Sequence, residues 1–226
     1  MRTRARSATG ARRRHGDAAI AGVTALALCA GVWLLHDVAV EPRPPQPSAA
    51  QSARSAPSRT GAADRTDLAG GAPALPPSPP DRIRIPSIGV DAPLTGLGLT
   101  ARGALDVPPP ERPELAGWYE AGTTPGERGT AVVAGHVDNA EGPAVFYRLG
   151  ALVRGRTIEV NRRDGSVAVF TVSAVEVYRA DAFPDEKVYG PAPRPELRVI
   201  TCGGPYSKRT GYEGNVVVFA HLTDVR

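Results

Sequence analysis

The feature that most restricts the fold is a series of short apolar runs after residue 80, in which β-branched residues alternate with polar or turn-forming residues. Clear examples are GTAVVAGH at 129–136, LRVIT at 197–201 and NVVVFAHL at 215–222. Two more runs lie within 157–180 and are joined by a turn at 163–165, which is typical of a hairpin. Seven or eight short strands with little helix predict an all-β domain, either a closed barrel or a sandwich.

Three further segments are weaker. IRIPSIGVDAPL at 83–94 predicts a strand that enters a bend, and GALDVP at 103–108 predicts a short strand. PAVFYRL at 143–149 has helical spacing over only about two turns. No period of about 20–50 residues repeats, which excludes a solenoid.

The positive charge of the chain is confined to its beginning. Residues 1–17 carry six arginines and one aspartate, whereas the whole chain has a formal net charge of +4, so the remainder is slightly negative. The body therefore has no cationic surface by composition, and we expect no nucleic-acid partner. We interpret residues 1–17 as a basic cytoplasmic tail.

An uncharged segment of eighteen residues, Ala18–Leu35, follows this tail. As a helix it would be about 27 Å long, close to the thickness of a bilayer core. Arginine-rich flanks stay in the cytoplasm, so residues 18–36 predict a single-pass signal anchor with the following chain outside the cell. A cleaved secretory signal and a lipoprotein built on Cys29 are the alternatives, but the apolar stretch is long and Leu28 precedes that cysteine.

Residues 37–79 are rich in Pro, Ala, Ser and Gly and nearly free of large apolar side chains. Such a segment cannot bury enough surface to offset the entropy cost of ordering, so it predicts a disordered stalk. Residues 80–226 then form the exported domain.

Cys202 is the only cysteine after the predicted anchor, so this domain has no intrachain disulfide and no zinc site with paired cysteines. The thiol is either an inert core residue or a nucleophile. It ends the run LRVIT, and Gly203 and Gly204 leave the adjacent backbone uncrowded, so main-chain amides are free to face a developing oxyanion.

A nucleophilic thiol needs a basic partner, and imidazole is the usual one. His15 and His36 belong to the tail and the membrane edge, and alternation places His221 on the face of a strand as a structural residue. His136 ends an apolar run just as Cys202 does, and it is therefore the candidate base.

The ordered segments AGHVDNAEGPAVFYRLGALVRG, DAFPDEKVYG and ITCGG, with a final VVVFA strand, resemble the sortases, and among them the actinobacterial group called class F. The resemblance covers residues 80–226 and implies an eight-stranded β-barrel with short helices. It also implies a membrane-anchored extracellular cysteine transpeptidase. Such an enzyme cleaves a Leu-Pro-any-Thr-Gly sorting signal between Thr and Gly, forms a thioacyl intermediate and transfers the acyl group to an amine.

The resemblance implies roles for individual residues. Cys202 would be the nucleophile and His136 the general acid and base. The arginine usual in the family falls on Asn215 when counted without gaps, so Arg209, seven residues after Cys202, is the candidate for the catalytic arginine. Asn215, Thr201 and Gly203 are candidate substrate-binding residues. Asp138 is interpreted as a turn-forming or locally orienting residue rather than a member of a triad.

The implied partners are surface proteins that carry sorting signals, and an amine from a cell-wall peptide or a lipid-linked precursor. We expect a monomer that needs no metal and no cofactor. A hydrolase that does not transfer the acyl group, and a non-catalytic anchored barrel that binds a wall component, are the alternatives. A papain-like protease does not fit, because its cysteine begins a helix near the mature N-terminus.

Overall fold

The computed structural model describes residues 43–48 and 71–226. The predicted tail and membrane anchor at 1–36 lie outside the described residues, and so does most of the predicted stalk. No helix in the described part of the chain is long and apolar enough to cross a membrane. The chain divides into two units, Met1–Arg43 and Pro44–Arg226, and the fold below is that of the second.

Eight strands close into a barrel, which confirms the predicted all-β architecture. A two-stranded hairpin and a few short helices complete it. The barrel strands are β1 (Pro80–Ile85), β2 (Val90–Leu97), β3 (Ala116–Tyr119), β4 (Gly129–Gly135), β7 (Thr157–Arg162), β8 (Val167–Arg179), β9 (Pro195–Ser207) and β10 (Gly211–Val225). The hairpin consists of β5 (Asp138–Asn139) and β6 (Gly142–Pro143). The helical segments are the 3₁₀ turns Pro86–Ile88, Leu149–Ala151 and Ala180–Ala182 and the α-helix α1 (Asp185–Tyr189).

The strand order around the barrel is β1-β2-β3-β4-β9-β10-β8-β7. Most neighbours are antiparallel, but β2 pairs with β3 and β4 pairs with β9 in parallel. The β4–β9 pair joins two segments about 66 residues apart in sequence. Because the two strands run in the same direction, the residues that follow β4 lie beside β9 from about residue 202 onward.

The interior is filled by alternate side chains of the barrel strands, as their period of two requires. Val133, Leu197, Val199 and Val218 are fully buried there. One end is closed by the segment after β6, whose Phe146, Leu149 and Leu152 are also fully buried. Each of these large side chains stabilises the fold by about 1.5–3 kcal/mol through burial.

A second apolar cluster lies on the outer face of β4, β9 and β10. It contains Val132, Ile200, Val217 and Phe219, and α1 packs on it through Val188. These three strands are therefore buried on both faces, which explains the unbroken apolar run VVVF at 216–219. The outer cluster also includes partly buried side chains at its margins, namely Leu105, Tyr119, Ala174, Tyr178 and Phe183.

Two of the weaker predictions fail. GALDVP forms no strand and contributes only an isolated bridge between Leu99 and Leu105. PAVFYRL forms turns that lead into the 3₁₀ segment Leu149–Ala151 rather than a helix. A segment of about two turns is too short for its helical spacing alone to decide its conformation, although Phe146 and Leu149 are buried. The short strand β3 carried no alternating pattern long enough to predict it.

Residues 71–79, assigned by composition to the disordered stalk, lie along the barrel in the structure. The amide of Ala72 donates to the carbonyl of Leu222 at 3.3 Å, and that of Leu75 donates to the carbonyl of Gly126 at 2.8 Å. Ser78 is buried, and its amide donates to the hydroxyl of Thr124 at 3.1 Å. Backbone hydrogen bonds hold this segment, and composition does not reveal them.

The β9–β10 hairpin is longer than the apolar runs that predicted it, because polar residues extend both strands beyond the barrel. The register skips between the pairs Tyr212↔Tyr206 and Gly214↔Gly203, so β9 carries a bulge. Gly204 lies in this bulge with φ +80°, a conformation that favours glycine.

Candidate active site

The strand register brings Cys202, His136 and Asn215 into one row. In the parallel β4–β9 pair, Val132 lies beside Arg198 and Ala134 beside Ile200. Continuing this register by two residues places His136, which directly follows β4, beside Cys202. On the other side, Asn215 of β10 is the direct partner of Cys202. Adjacent strands are about 4.8 Å apart, so the three residues are near neighbours.

This row lies on the outer face of the barrel. Cys202 alternates with the buried Thr201, and its side chain is exposed. Ile200 and Val217, which share this face, belong to the outer apolar cluster. This placement is inconsistent with the interpretation of Cys202 as an inert core residue.

Thr201 ties the two strands that carry the thiol and the imidazole. Its side chain is buried, and its hydroxyl donates to the carbonyl of Gly135 at 2.8 Å. Gly135 directly precedes His136, just as Thr201 directly precedes Cys202. The hydroxyl proposed from sequence as a substrate contact is thus engaged in fixing the β4–β9 register.

His136 is half-buried and is held by a proline-rich loop. Its Nε2 lies 2.7 Å from the carbonyl oxygen of Pro108. A carbonyl can only accept a hydrogen bond, so Nε2 carries the proton and Nδ1 is the acceptor nitrogen in the neutral ring. The backbone carbonyl of His136 accepts from the amide of Phe146 at 3.0 Å, which anchors the residue from its other side.

The surroundings of Cys202 disfavour the thiolate. Although solvent reaches the Cys202 side chain, the protein atoms around its sulfur partly desolvate it and raise the pKa of the thiol above its ordinary value, and the negative charge of Asp138 raises it further. At neutral pH the resting sulfur is therefore protonated in most molecules. A base that accepts the thiol proton is needed at the moment of attack.

Asp138 joins the loop after β4 to the β9–β10 hairpin. Its carboxylate accepts a short hydrogen bond from the hydroxyl of Tyr212. Burial and this carboxylate raise the pKa of Tyr212. The ring of Tyr212 also packs on Tyr206 with centroids 4.9 Å apart. The local orienting role inferred for Asp138 from sequence fits this contact.

The two glycines after the cysteine are required for different reasons. A Cβ on Gly203 would lie 2.6 Å from Cγ2 of Val216, so the strand fits only without a side chain there. Gly204 is required by its positive φ. The substrate contact expected of Gly203 involves its backbone alone, and it stays a prediction.

Arg209 lies in the turn between β9 and β10, at the exposed tip of the hairpin. No described residue forms an ion pair with it. Arg198 faces outward on β9, but it is buried, donates to Glu196 at 2.8 Å and stacks on Phe219 with its guanidinium carbon 4.6 Å from the ring centroid. The catalytic role of Arg209 stays a prediction.

Val132 of the outer cluster, together with Leu105, Tyr119 and Tyr189, lines a cavity of about 630 Å³. Cys202 and His136 are not among the residues that line it. The cavity lies toward the beginning of β4, where Gly129 and Thr130 form part of its wall. Within the described ranges, no group of three or more His, Cys, Asp or Glu side chains is arranged to hold a metal ion.

A thiol and an imidazole in neighbouring positions on an accessible face are the arrangement used by enzymes that form a covalent acyl intermediate. A family model described as the sortase domain matches residues 83–223, which is more than half of the chain. The chain therefore belongs to the sortase family of cysteine transpeptidases.

Solved structures of sortases resemble this fold at low sequence identity. Sortase A from Listeria monocytogenes has a TM-score of 0.48 and 17% identity, covering 66% of this chain and 90% of that chain. Sortase A from Corynebacterium diphtheriae has a TM-score of 0.48 and 22% identity, covering 66% and 62%. The complex of Streptococcus agalactiae sortase C1 and MTSET has a TM-score of 0.48 and 18% identity, covering 64% and 67%. No curated protein matches the chain.

Sequence reasoning missed two residues that hold the site together. Pro108 supplies only a backbone carbonyl, and its side chain gives no sign of that function. Tyr212 lies ten residues after Cys202, and nothing in the sequence shows that its hydroxyl contacts Asp138 next to a bulge in β9. The run of prolines at 108–110, which begins at the last residue of the segment predicted to be a strand, was the one available signal of a rigid loop.

Replacing Thr201 with valine should lower kcat for peptide cleavage by about tenfold to a hundredfold, because small misplacements of reacting groups are costly. The free energy of unfolding should also fall by about 1–3 kcal/mol, since a buried acceptor loses its donor. Thr201→Ser keeps the hydroxyl and should restore most of kcat. Thr171→Val, which removes a hydroxyl bonded to Thr223 in β10, is the control. Equal kcat values for Thr201→Val and Thr171→Val would contradict the positioning role.

Replacing Asp138 with asparagine should lower the pKa of Cys202 by removing the nearby negative charge, while burial continues to raise it. More thiolate is then present at neutral pH, so a small thiol reagent should modify Cys202 faster, and the rate profile should shift to lower pH. Tyr212→Phe removes the hydrogen bond but keeps the carboxylate, and its profile should stay close to that of the parent. A similar shift in both variants would mean that the hydrogen bond, not the charge, controls the thiol.

Proposed function

We propose that this protein is a membrane-anchored extracellular sortase of the class F group, which cleaves a Leu-Pro-any-Thr-Gly-like signal and transfers the acyl group to an amine. The observation that carries the proposal is the row formed by His136, Cys202 and Asn215 on the outer face of the barrel. The predicted anchor at 18–36 and stalk at 37–79 support an extracellular, single-pass arrangement. The sequence supports a cell-wall peptide or lipid-linked precursor as the source of the amine.

The cavity near the beginning of β4 is suited to the apolar end of such a signal. An extended peptide advances about 3.3 Å per residue, so the leucine lies about 10 Å from the threonine three residues later. Arg198, the ladder partner of Val132, lies four residues before Cys202 along β9. With the threonine carbonyl at the sulfur, the leucine is therefore about one residue short of Val132, which lines the cavity.

The first half of the reaction forms the thioester. Nδ1 of His136 accepts the proton of the Cys202 thiol as Sγ attacks the threonine carbonyl carbon. The tetrahedral intermediate then collapses, the carbon–nitrogen bond to glycine breaks, and the imidazolium gives its proton to the departing amine. The carbonyl of Pro108 holds the ring in the tautomer that this transfer requires.

The second half regenerates the thiol. An incoming amine loses a proton to His136 while its nitrogen attacks the thioester carbon, and the carbon–sulfur bond breaks. The thiolate that leaves is reprotonated from the imidazolium, and the raised pKa of Cys202 favours that return. Water as the incoming nucleophile would give hydrolysis by the same steps, which is the alternative activity.

Three groups are proposed to stabilise the oxyanion and the substrate backbone. Asn215 is the ladder partner of Cys202, so its amide is suited to donate a hydrogen bond across the site. The main-chain amide of Gly203, which directly follows Cys202, is the second candidate donor. Arg209 would have to approach through bending of the hairpin, and the bulge at Gly204 is the point where such bending is expected.

Cys202→Ala should abolish cleavage of a fluorogenic sorting-signal peptide, and His136→Ala should reduce the rate by about 10²- to 10⁴-fold, as expected for loss of a general acid and base. Mass analysis of the product with an added amine separates transfer from hydrolysis. His221→Ala, which removes an imidazole on β10 that is hydrogen-bonded to Ser173 of β8, is the control and should stay active. Full activity of Cys202→Ala would overturn the proposal, and rapid thiol labelling without any turnover would favour the binding-module alternative.

Arg209→Ala should lower kcat/KM by at least about tenfold if the guanidinium donates a charge-assisted hydrogen bond in the transition state. Lys208→Ala removes a cation from the adjacent position of the same turn and should change kcat/KM little. If the two substitutions have equal, small effects, Arg209 and Lys208 contribute only general surface charge. Asn215 would then be the residue that stabilises the oxyanion.

A further inference from the structure

The cavity at the beginning of β4 has more room than one leucine side chain fills. Its volume of about 630 Å³ lies in the range of pockets that enclose most of a small ligand. Leu99, Leu105, Tyr119 and Tyr189 supply apolar walls from the loop after β2, from β3 and from α1. The cavity therefore has space for several residues of an extended peptide.

One cation lines this cavity. Arg128 is the only charged residue among the described residues of the wall, and it is exposed. No residue in the described part of the chain forms an ion pair with it. The carboxylate of its neighbour Glu127 is directed at Thr124, from whose amide and hydroxyl it accepts hydrogen bonds of 3.0 Å. A guanidinium that lacks a carboxylate partner in the protein is free to pair with a carboxylate from a ligand.

The backbone on both sides of Arg128 is fixed. The turn before it is closed by the hydrogen bonds just described, and the amide of Gly129 after it donates to the carbonyl of Arg194 at 3.3 Å. Gly129 has φ +120°, and a Cβ there would lie 2.8 Å from the hydroxyl oxygen of Thr123, so the position requires glycine. A rigid backbone at this point lowers the ordering cost when the guanidinium binds a ligand.

Arg128 lies further along the direction in which a bound sorting signal extends. Gly129, the next residue, is the ladder partner of Pro195, which lies seven residues before Cys202. Arg128 is therefore about eight residue steps from the sulfur, whereas the leucine of the signal is about three steps from it. An arginine side chain is about as long as two steps of an extended chain, so the guanidinium reaches the region about three to five residues before the leucine.

We propose that this cavity is a subsite for the segment that precedes the leucine of the sorting signal, and that Arg128 selects substrates with Asp or Glu in that segment. The inference rests on the proposed function for the identity of the peptide. The apolar walls receive the side chains next to the leucine, and the guanidinium pairs with a carboxylate beyond them. The chain after residue 17 is slightly negative, so this pair is a local contact that fixes the register of the peptide rather than part of a cationic surface.

The combination of one cation with apolar walls favours a peptide over a phosphate-bearing polymer of the cell wall. A peptide supplies a carboxylate and apolar side chains within a few residues of each other. A polymer of phosphates would leave the walls formed by Leu99 and Leu105 without an apolar partner.

The test compares three peptides that share one sorting signal and differ only at the third, fourth and fifth residues before the leucine, which are all Glu, all Gln or all Lys. With the full chain at low salt, KM should be about threefold to tenfold lower for the Glu peptide than for the Gln peptide, and highest for the Lys peptide. The value of kcat should differ little among the three, because the pair forms equally in the ground state and the transition state.

Arg128→Glu should reverse this order, and Arg128→Lys should keep it. Arg156→Glu makes the same change of charge just before β7, the strand opposite β4 in the ring of eight, and should keep the preference for Glu. A high salt concentration should reduce the preference, because it screens exposed charges. Thermal unfolding of each variant checks that the barrel is intact.

Equal KM values for the Glu and Gln peptides at low salt, or an unchanged preference in Arg128→Glu, would overturn the subsite. Short-chain inorganic polyphosphate supplies the alternative ligand. If the Glu and Gln peptides have equal KM values, and polyphosphate raises the KM of the Gln peptide in the parent but not in Arg128→Glu, the cation binds phosphates and the peptide subsite is wrong.

A second readout separates this inference from the proposed function. Fluorescence anisotropy measures the affinity of labelled peptides for the Cys202→Ala chain without any turnover. A charge preference that Arg128→Glu reverses, in a protein whose parent never cleaves the signal, would keep the subsite and refute the transpeptidase. Normal turnover with no charge preference in either readout would refute the subsite alone.

Discussion

The parallel pairing of β4 with β9 is the interaction on which the site depends. Two segments far apart in sequence end at the same edge of the barrel only because this pair is parallel. The buried hydrogen bond from Thr201 to Gly135 fixes its register at the last residues before the reactive side chains. The core beneath and the outer cluster above hold both strands from two sides, so the register is strongly specified.

The electrostatics of the site favour the protonated thiol of Cys202 over the thiolate in the absence of substrate. Desolvation and the charge of Asp138 raise the pKa of Cys202, which limits the reaction of the resting thiol with adventitious electrophiles. The same carboxylate fastens the β9–β10 hairpin through Tyr212. One side chain thus links the charge at the sulfur to the position of the hairpin that carries Arg209.

Much of this fold can be predicted from local sequence patterns. The rest cannot, and the reason is physical. Alternation in the runs ending at His136 and Cys202 predicted both strands and the residues that follow them, because period-two patterning is local. The partner of His136 is a backbone carbonyl, and Gln46 accepts a hydrogen bond from the Gly204 amide, which a bulge releases from the ladder. Such backbone groups are common to every residue, so no residue type marks them.

The side-chain alternation around Thr201 and Cys202 has a consequence for how the gene for such a barrel can vary. Losing or gaining a single codon upstream in β9 would turn the sulfur inward and the hydroxyl outward, and a gained codon would also place Cys202 where Gly203 now faces Val216. Codons in the turn at 208–210 lie beyond the last barrel pairs and escape this constraint. Length changes are therefore expected to accumulate at the hairpin tip while β9 keeps its count.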